Sequence, residues 1–317
     1  MKHRRIAAFL IALICIAALS GSVLSQQKQG AKNRLSLIPS DVEIIRDVEY
    51  GRGGEVSLKL DIIRPKSQPK EPMPVVVFVH GGGFMSGSKE SGIPPLIPLA
   101  QRGYFCATIN YRLTDVAPFP AQIEDCKCAV RWVRAHAKEY NVNPKRIGAW
   151  GGSAGGTLVA LLGVAGDVKE FEGSGGWEKE SSQVQAVCDW FGRMDILRTA
   201  EEEKARGVTR ETMEKGGVTD RLSALIGGLI WENPDACRKA SPITYVTKDD
   251  APFLIMHGDK DDVVPLNQSE AFNEALKKAG VETTLQVIKD AGHGFPGRLD
   301  LGKPVADFFD KHLKPRG

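Results

Sequence analysis

Val75-Val76-Val77-Phe78-Val79 is an unbroken run of β-branched and aromatic residues. A strand built from it has no polar face, so it must be covered on both sides. That demand excludes a sheet with one wet face and calls for layers above and below. Residues 104–109, 146–150, 184–190, 253–256 and 283–288 read as strands of the same kind. Apolar spacing near the helical period separates them, in 123–140, 157–164, 266–279 and 303–313. Strands alternating with helices predict a mostly parallel central sheet flanked by helices, the α/β class. Ahead of it, 42–50 and 56–64 flank Gly51-Arg52-Gly53-Gly54 and predict a hairpin.

The segment 195–240 interrupts this alternation and is too long for a simple crossover. Short helices packed over one edge of the sheet are expected there, as a cap-like insertion. Its first half is densely charged, from Glu201-Glu202-Glu203-Lys204 through Arg206, Arg210, Glu211, Glu214 and Lys215. That half reads as a solvated surface, or as a cap over a site on the sheet. Its second half carries Leu222, Leu225, Ile226, Leu229, Ile230 and Trp231 near helical spacing. These either pack on the sheet or wall a pocket.

The amino terminus has the layout of an export signal. Lys2, Arg4 and Arg5 precede an all-apolar stretch, 6–19, followed by Ser20, Gly21, Ser22 and Ser25. The apolar stretch is shorter than the roughly 20 residues of a bilayer span. Reading it on to Leu24 gives the alternative of an uncleaved anchor. The expected organisation is a signal at 1–25, a flexible polar leader at 26–41 and one α/β domain at 42–317. The mature chain is then secreted or periplasmic. The net charge is +3, and without the three basic residues of the signal it falls to 39 basic against 39 acidic. A neutral chain offers no electrostatic footprint to nucleic acid or an anionic membrane, so neither is expected as a partner. With 42% hydrophobic and 26% charged residues, disorder and a polytopic membrane protein are excluded.

Export removes Cys15 and leaves Cys106, Cys126, Cys128, Cys188 and Cys237, an odd set. Cys126 and Cys128 are too close for an ordinary zinc pair, and no second pair accompanies them. The cysteines are expected to be small buried hydrophobes, and no metal is called for.

The chemistry gathers in four places. Gly151-Gly152-Ser153-Ala154-Gly155 fits G-x-S-x-G after a strand and before an apolar helix, where a tight turn lifts a serine hydroxyl above the sheet. His80-Gly81-Gly82-Gly83 follows the buried strand, and its glycines let backbone N–H groups approach a developing oxyanion. His293 stands between Gly292 and Gly294 in a late loop, as a general base for the serine requires. His80, His136, His257 and His312 lie in the glycine loop, in helices or at a strand end, and read as structural. Asp259, Asp261 and Asp262 follow the strand at 253–256, and each is a candidate acid to orient His293. Trp177, in a glycine- and serine-rich loop, reads as a surface tryptophan or a platform for a sugar ring.

With Asn110-Tyr111-Arg112-Leu113, Ser241-Pro242-Ile243 and His257-Gly258-Asp259-Lys260-Asp261 added, the chain resembles the α/β-hydrolase superfamily over about 42–313. It resembles in particular hormone-sensitive-lipase-like secreted esterases, and bacterial proteins similar to bifunctional feruloyl and acetyl-xylan esterases. The resemblance implies an α/β-hydrolase fold with a short helical cap. It implies Ser153 as nucleophile, His293 as base and Asp261, four residues after His257, as the acid. Asp259 and Asp262 then serve the turn, and Asp262 departs from the common pattern. The resemblance further implies Gly82, Gly83 and Ala154 as oxyanion donors and no cofactor. The implied substrate is a short-chain acyl or feruloyl ester, of a small molecule or of plant polysaccharide. A small-molecule amidase or formamidase is the competing enzyme reading, and a non-catalytic binding module the competing reading of another class.

Overall fold

Residues 38–67, 69–205, 207, 209, 211, 218–295 and 298–315 are described by a computed structural model. The expected signal and most of the leader lie outside them, as do Arg206, Arg210, Glu214 and Lys215. The segment up to Val42 is one unit and Glu43–Gly317 another, and the second carries all that follows except Val42, the first residue of the first strand.

The strands are β1 (Val42–Gly53), β2 (Val56–Pro65), β3 (Met73–Val79), β4 (Phe105–Ile109), β5 (Val142–Gly152), β6 (Ala186–Trp190), β7 (Phe253–Gly258) and β8 (Thr283–Ile288). They form one sheet in the order β1-β2-β4-β3-β5-β6-β7-β8. β2 runs antiparallel to β4, and every pairing from β4 to β8 is parallel. Each residue of β3 is buried, as its composition requires. β8 departs from expectation: it is only partly covered, and Val287 is 45% exposed. It is the last strand in the order and pairs with β7 alone, so one side lacks a neighbour.

The helices are α1 (Ile93–Gln101), α2 (Ala121–Ala135), α3 (Ala154–Val164), α4 (Ile196–Ala205), α5 (Val218–Ile226), α6 (Pro234–Lys239), α7 (Asn267–Ala279) and α8 (Gly302–Leu313). α3 is buried along its whole length beneath the sheet. Its apolar side chains anchor the turn that precedes it. Truncating one such as Leu158 to alanine costs about 2–5 kcal/mol. α1 has no counterpart in the sequence reading, although it carries Pro94, Pro95 and Pro98. Two of these prolines fall in the first turn, where the missing N–H has no intrahelical partner to lose. α2 stops five residues earlier than its periodicity suggests, because the chain must turn through Asn141, with φ of 51°, into β5.

The insertion holds α4, α5 and α6, as anticipated. Leu222, Leu225 and Ile230 are buried and join the main core. Phe119 N donates to Leu225 O at 2.8 Å, tying α5 to the loop before α2. Ser241 closes the base: its hydroxyl donates to Cys237 O at 2.7 Å and accepts from Ile196 N at 2.8 Å. The five cysteines outside residues 1–37 are all buried and unpaired. No helix among the described residues is long and apolar enough to cross a membrane.

Candidate active site

Ser153 sits between β5 and α3 with φ of 56° and ψ of −123°, a conformation costly for a residue with a side chain. Its surroundings hold it there. Ser153 N donates to Trp190 O at the end of β6, at 2.9 Å. A Cβ at Gly155 would collide with the carbonyl oxygen of Val79, so only glycine permits the close approach of α3 to β3. The turn thereby presents the hydroxyl beyond the carboxyl ends of the parallel strands.

The glycine loop lies against it. A Cβ at Gly81 would stand 3.2 Å from the Ser153 Cβ. Gly82 and Gly83 have φ of 114° and 62°, which favours glycine at both. Met85 N and Ser86 N donate to Gly82 O at 3.2 and 3.1 Å and hold the loop's shape. His80 is buried, stacks on Tyr111 at 4.4 Å and directs Nδ1 to Gly81 O, so its side chain braces this loop. Gly83 and Ala154 line a cavity shared with Ser153.

His293 Nε2 stands 2.9 Å from Ser153 Oγ, and His293 Nδ1 stands 2.7 Å from Asp261 Oδ2. Phe191 packs edge-on against the imidazole at 4.6 Å. The Asp261 side chain is fully buried. Its Oδ1 accepts from Val263 N at 2.9 Å and Val264 N at 2.8 Å. Burial works against its ionisation. Hydrogen bonds from His257, His293 and the Val264 amide outweigh burial and hold the carboxyl below the usual carboxylate range. Asp259 faces elsewhere: its Oδ1 accepts from Asp290 N at 2.7 Å and joins the loops after β7 and β8. Asp262 is exposed. Of the three candidate acids, Asp261 alone meets His293.

The cavity beside Ser153 has a volume of about 40 Å³. Phe84, Leu222, Val263 and Val264 give it apolar walls, and Arg193 and Arg221 also border it. Leu222 therefore does both things its sequence allowed: it joins the core and it walls a pocket. The chain matches the BD-FAE family over residues 60–276, more than half of its length. It belongs to that family.

Esterases LipQ and LipC of Mycobacterium tuberculosis are similar to this BD-FAE chain. They share 32% identity over 252 residues and 33% over 245, which is 78% and 77% of this chain. The matches cover 56% and 58% of those two proteins, so the chain spans little more than half their length. Among solved structures, a truncated carbohydrate esterase from gut microbiota superposes with a TM-score of 0.73 at 32% identity, over 86% of this chain and 97% of that one. Esterase 2 of Thermogutta terrifontis gives 0.68 at 29%, over 88% and 95%. The fold is that of the α/β-hydrolases.

His257 stands near the end of β7, as the sequence reading has it, four residues before Asp261. It is fully buried, with Nδ1 2.7 Å from Ser269 Oγ, and Nε2 2.8 Å from Val264 O and 3.3 Å from Asp261 Oδ2. Two further residues of this BD-FAE site, Asp189 and Arg193, went unread in the sequence. Asp189, inside an apolar strand, is buried beside the turn. A Cβ at Gly156 would collide with its Oδ1. Arg193 is 7% exposed and joins α4 to the loop after β7, donating to Thr199 Oγ1 and Val263 O, each at 2.9 Å. Nothing in its local sequence marks it. Trp177 is 40% exposed with Nε1 donating to Tyr50 O at 2.8 Å, which is the surface reading.

Proposed function

We propose that the protein is a serine carboxylic-ester hydrolase acting on esters of short acids. The carrying observation is the unbroken hydrogen-bonded line Ser153–His293–Asp261. Asp261 accepts at Oδ2 from the Nδ1–H of His293, which leaves Nε2 to take the Ser153 proton. Ser153 Oγ attacks the ester carbonyl, and the oxyanion forms beside the amides of Gly82, Gly83 and Ala154. The C–O bond to the alcohol breaks, and His293 returns the proton to the leaving oxygen. Water, deprotonated by His293, then attacks the acyl-enzyme and frees the acid and Ser153. No step needs a metal or cofactor.

Short acids follow from the pocket's size. About 10–15 Å³ accommodates each water-sized group, so the space beside Ser153 takes about three. The relatives LipQ and LipC are esterases, which supports ester hydrolysis, and a structural neighbour is a carbohydrate esterase, which supports an acylated saccharide as substrate. Residues 1–25 fit an export signal, which places the mature enzyme outside the cytoplasm, where polysaccharide is met.

Measuring kcat/KM over p-nitrophenyl esters of two to sixteen acyl carbons tests the reading. Acetyl and butyryl esters are expected to be cleaved far faster than palmitoyl. A rise continuing to the longest chain would mark a lipase. Faster cleavage of p-nitroacetanilide than of p-nitrophenyl acetate would mark an amidase.

A further inference from the structure

The pocket beside Ser153 is an unusual mixture for a neutral acyl group. Its walls are apolar, yet two guanidinium groups border it and no acidic residue does among the described residues. Arg193 is buried, and removing a cation from water is costly unless something offsets it. Burial lowers its pKa to about 10, against the pull of Glu203, Asp261 and Glu202, so it stays charged at neutral pH. Two of its five N–H donors are used, one by Thr199 and one by Val263 O. Its other N–H groups have no partner among the described residues. Arg221, on α5, is exposed and forms no ion pair among the described residues. Its side chain lies over Gly83, where a Cβ would come 2.7 Å from Arg221 Cδ. The insertion and the strand end after β6 thus each bring a cation to one small cavity.

We propose that this pocket selects acyl groups carrying their own carboxylate: short dicarboxylic monoesters such as malonyl or succinyl esters. The inference rests on the ester-hydrolase reading above and names its substrate class. The methylene spacer meets Leu222, Val263 and Val264, and the terminal carboxylate meets Arg193 and Arg221. Guanidinium pairs with carboxylate through charge-assisted hydrogen bonds, stronger than those a neutral acyl group forms. The reaction is the hydrolysis already described. The dicarboxylic acid and the alcohol are its products, and water is the only co-reactant.

The test compares monoethyl succinate with ethyl 4-methylpentanoate, a neutral substrate of the same shape, by ethanol release. The wild-type protein is expected to favour the succinate in kcat/KM by about ten-fold or more, the worth of one charge-assisted contact. Arg221→Met is expected to bring the ratio near one, and Arg221→Lys to retain part of it. Arg193→Met is expected to act the same way where it folds, and the exposed Arg221 decides the matter where it does not. A wild-type ratio at or below one, with both esters cleaved, overturns this inference and leaves the hydrolase reading intact. A high ratio unmoved by Arg221→Met overturns the assignment to this pocket. A folded protein that cleaves neither ester nor p-nitrophenyl acetate overturns the hydrolase reading and this inference with it.

Discussion

Two buried aspartates near His257 meet opposite fates. Asp261, in the loop after β7, is surrounded by donors: two backbone amides on Oδ1, and His293 with the more distant His257 on Oδ2. Asp189, at the end of β6, receives the Gly192 amide on Oδ1 at 3.0 Å, and its Oδ2 has no partner among the described residues. Burial disfavours the charge on both. At Asp261 the hydrogen bonds win and the carboxyl stays ionised. At Asp189 burial wins over His257 and the Gly192 amide, and the pKa climbs to about 7. Depth alone therefore does not decide charge; the number of donors aimed at the carboxylate does. The loop that touches His293 is supplied with donors, and the strand end that touches only the turn is not.

Ser153→Ala sets the scale for breaking this contrast, since it removes the group that Asp261 serves through His293. On the proposed mechanism kcat/KM for p-nitrophenyl acetate falls by about 10⁴–10⁶ while the circular-dichroism spectrum is kept. Near-native turnover by the folded variant would sink the mechanism. Asp261→Asn comes next, with a loss of about 10³–10⁴, because the amide no longer favours the tautomer with Nδ1–H. A loss under ten-fold would place Asp261 on a level with Asp189.

Asp189→Asn keeps the acceptor for Gly192 N and is expected to change turnover by less than about ten-fold, as it touches neither His293 nor Ser153. Its signature lies in stability. The folded protein holds the Asp189 proton more tightly than the unfolded chain does. This contribution is complete below about pH 4 and declines toward pH 7, by up to about 1.4 kcal/mol per unit. Asp261 works in the other direction: its folded pKa is depressed, so its contribution is present above the unfolded value and is lost on acidification. Urea unfolding from pH 4 to 7 should show a flatter profile for Asp189→Asn than for wild type. An unchanged profile would show that Asp189 is not held protonated. The smallest effect belongs to the insertion's outer face. Glu201 is exposed, and Glu201→Gln should shift stability by no more than about 0.5 kcal/mol, read by the same unfolding assay. A larger shift would mean that charge matters away from the buried pair as well.

Much of this was legible in the chain. Continuous apolar runs such as Val75–Val79 report burial on both faces, and glycines around Ser153 report a turn too tight for side chains. Both are local properties, carried by a few neighbouring residues. The proline-rich α1 went unread, although proline is harmless in a first helical turn. The edge position of β8 was hidden because strand order is not a local property. The choice of Asp261 from three aspartates within four positions came from a family pattern, and residue type alone left it open. Tertiary structure separates them by direction: Asp261 turns inward to His293, Asp259 bonds the neighbouring loop and Asp262 faces solvent. It also brings Ser153 within 2.9 Å of a histidine 140 residues away. It sets Arg193 and Arg221 around one cavity and leaves Asp189 short of donors. Periodicity and turn chemistry are written in adjacent residues, so sequence determines them. Desolvation and hydrogen-bond supply depend on which distant segments meet, and only the packed sheet decides that.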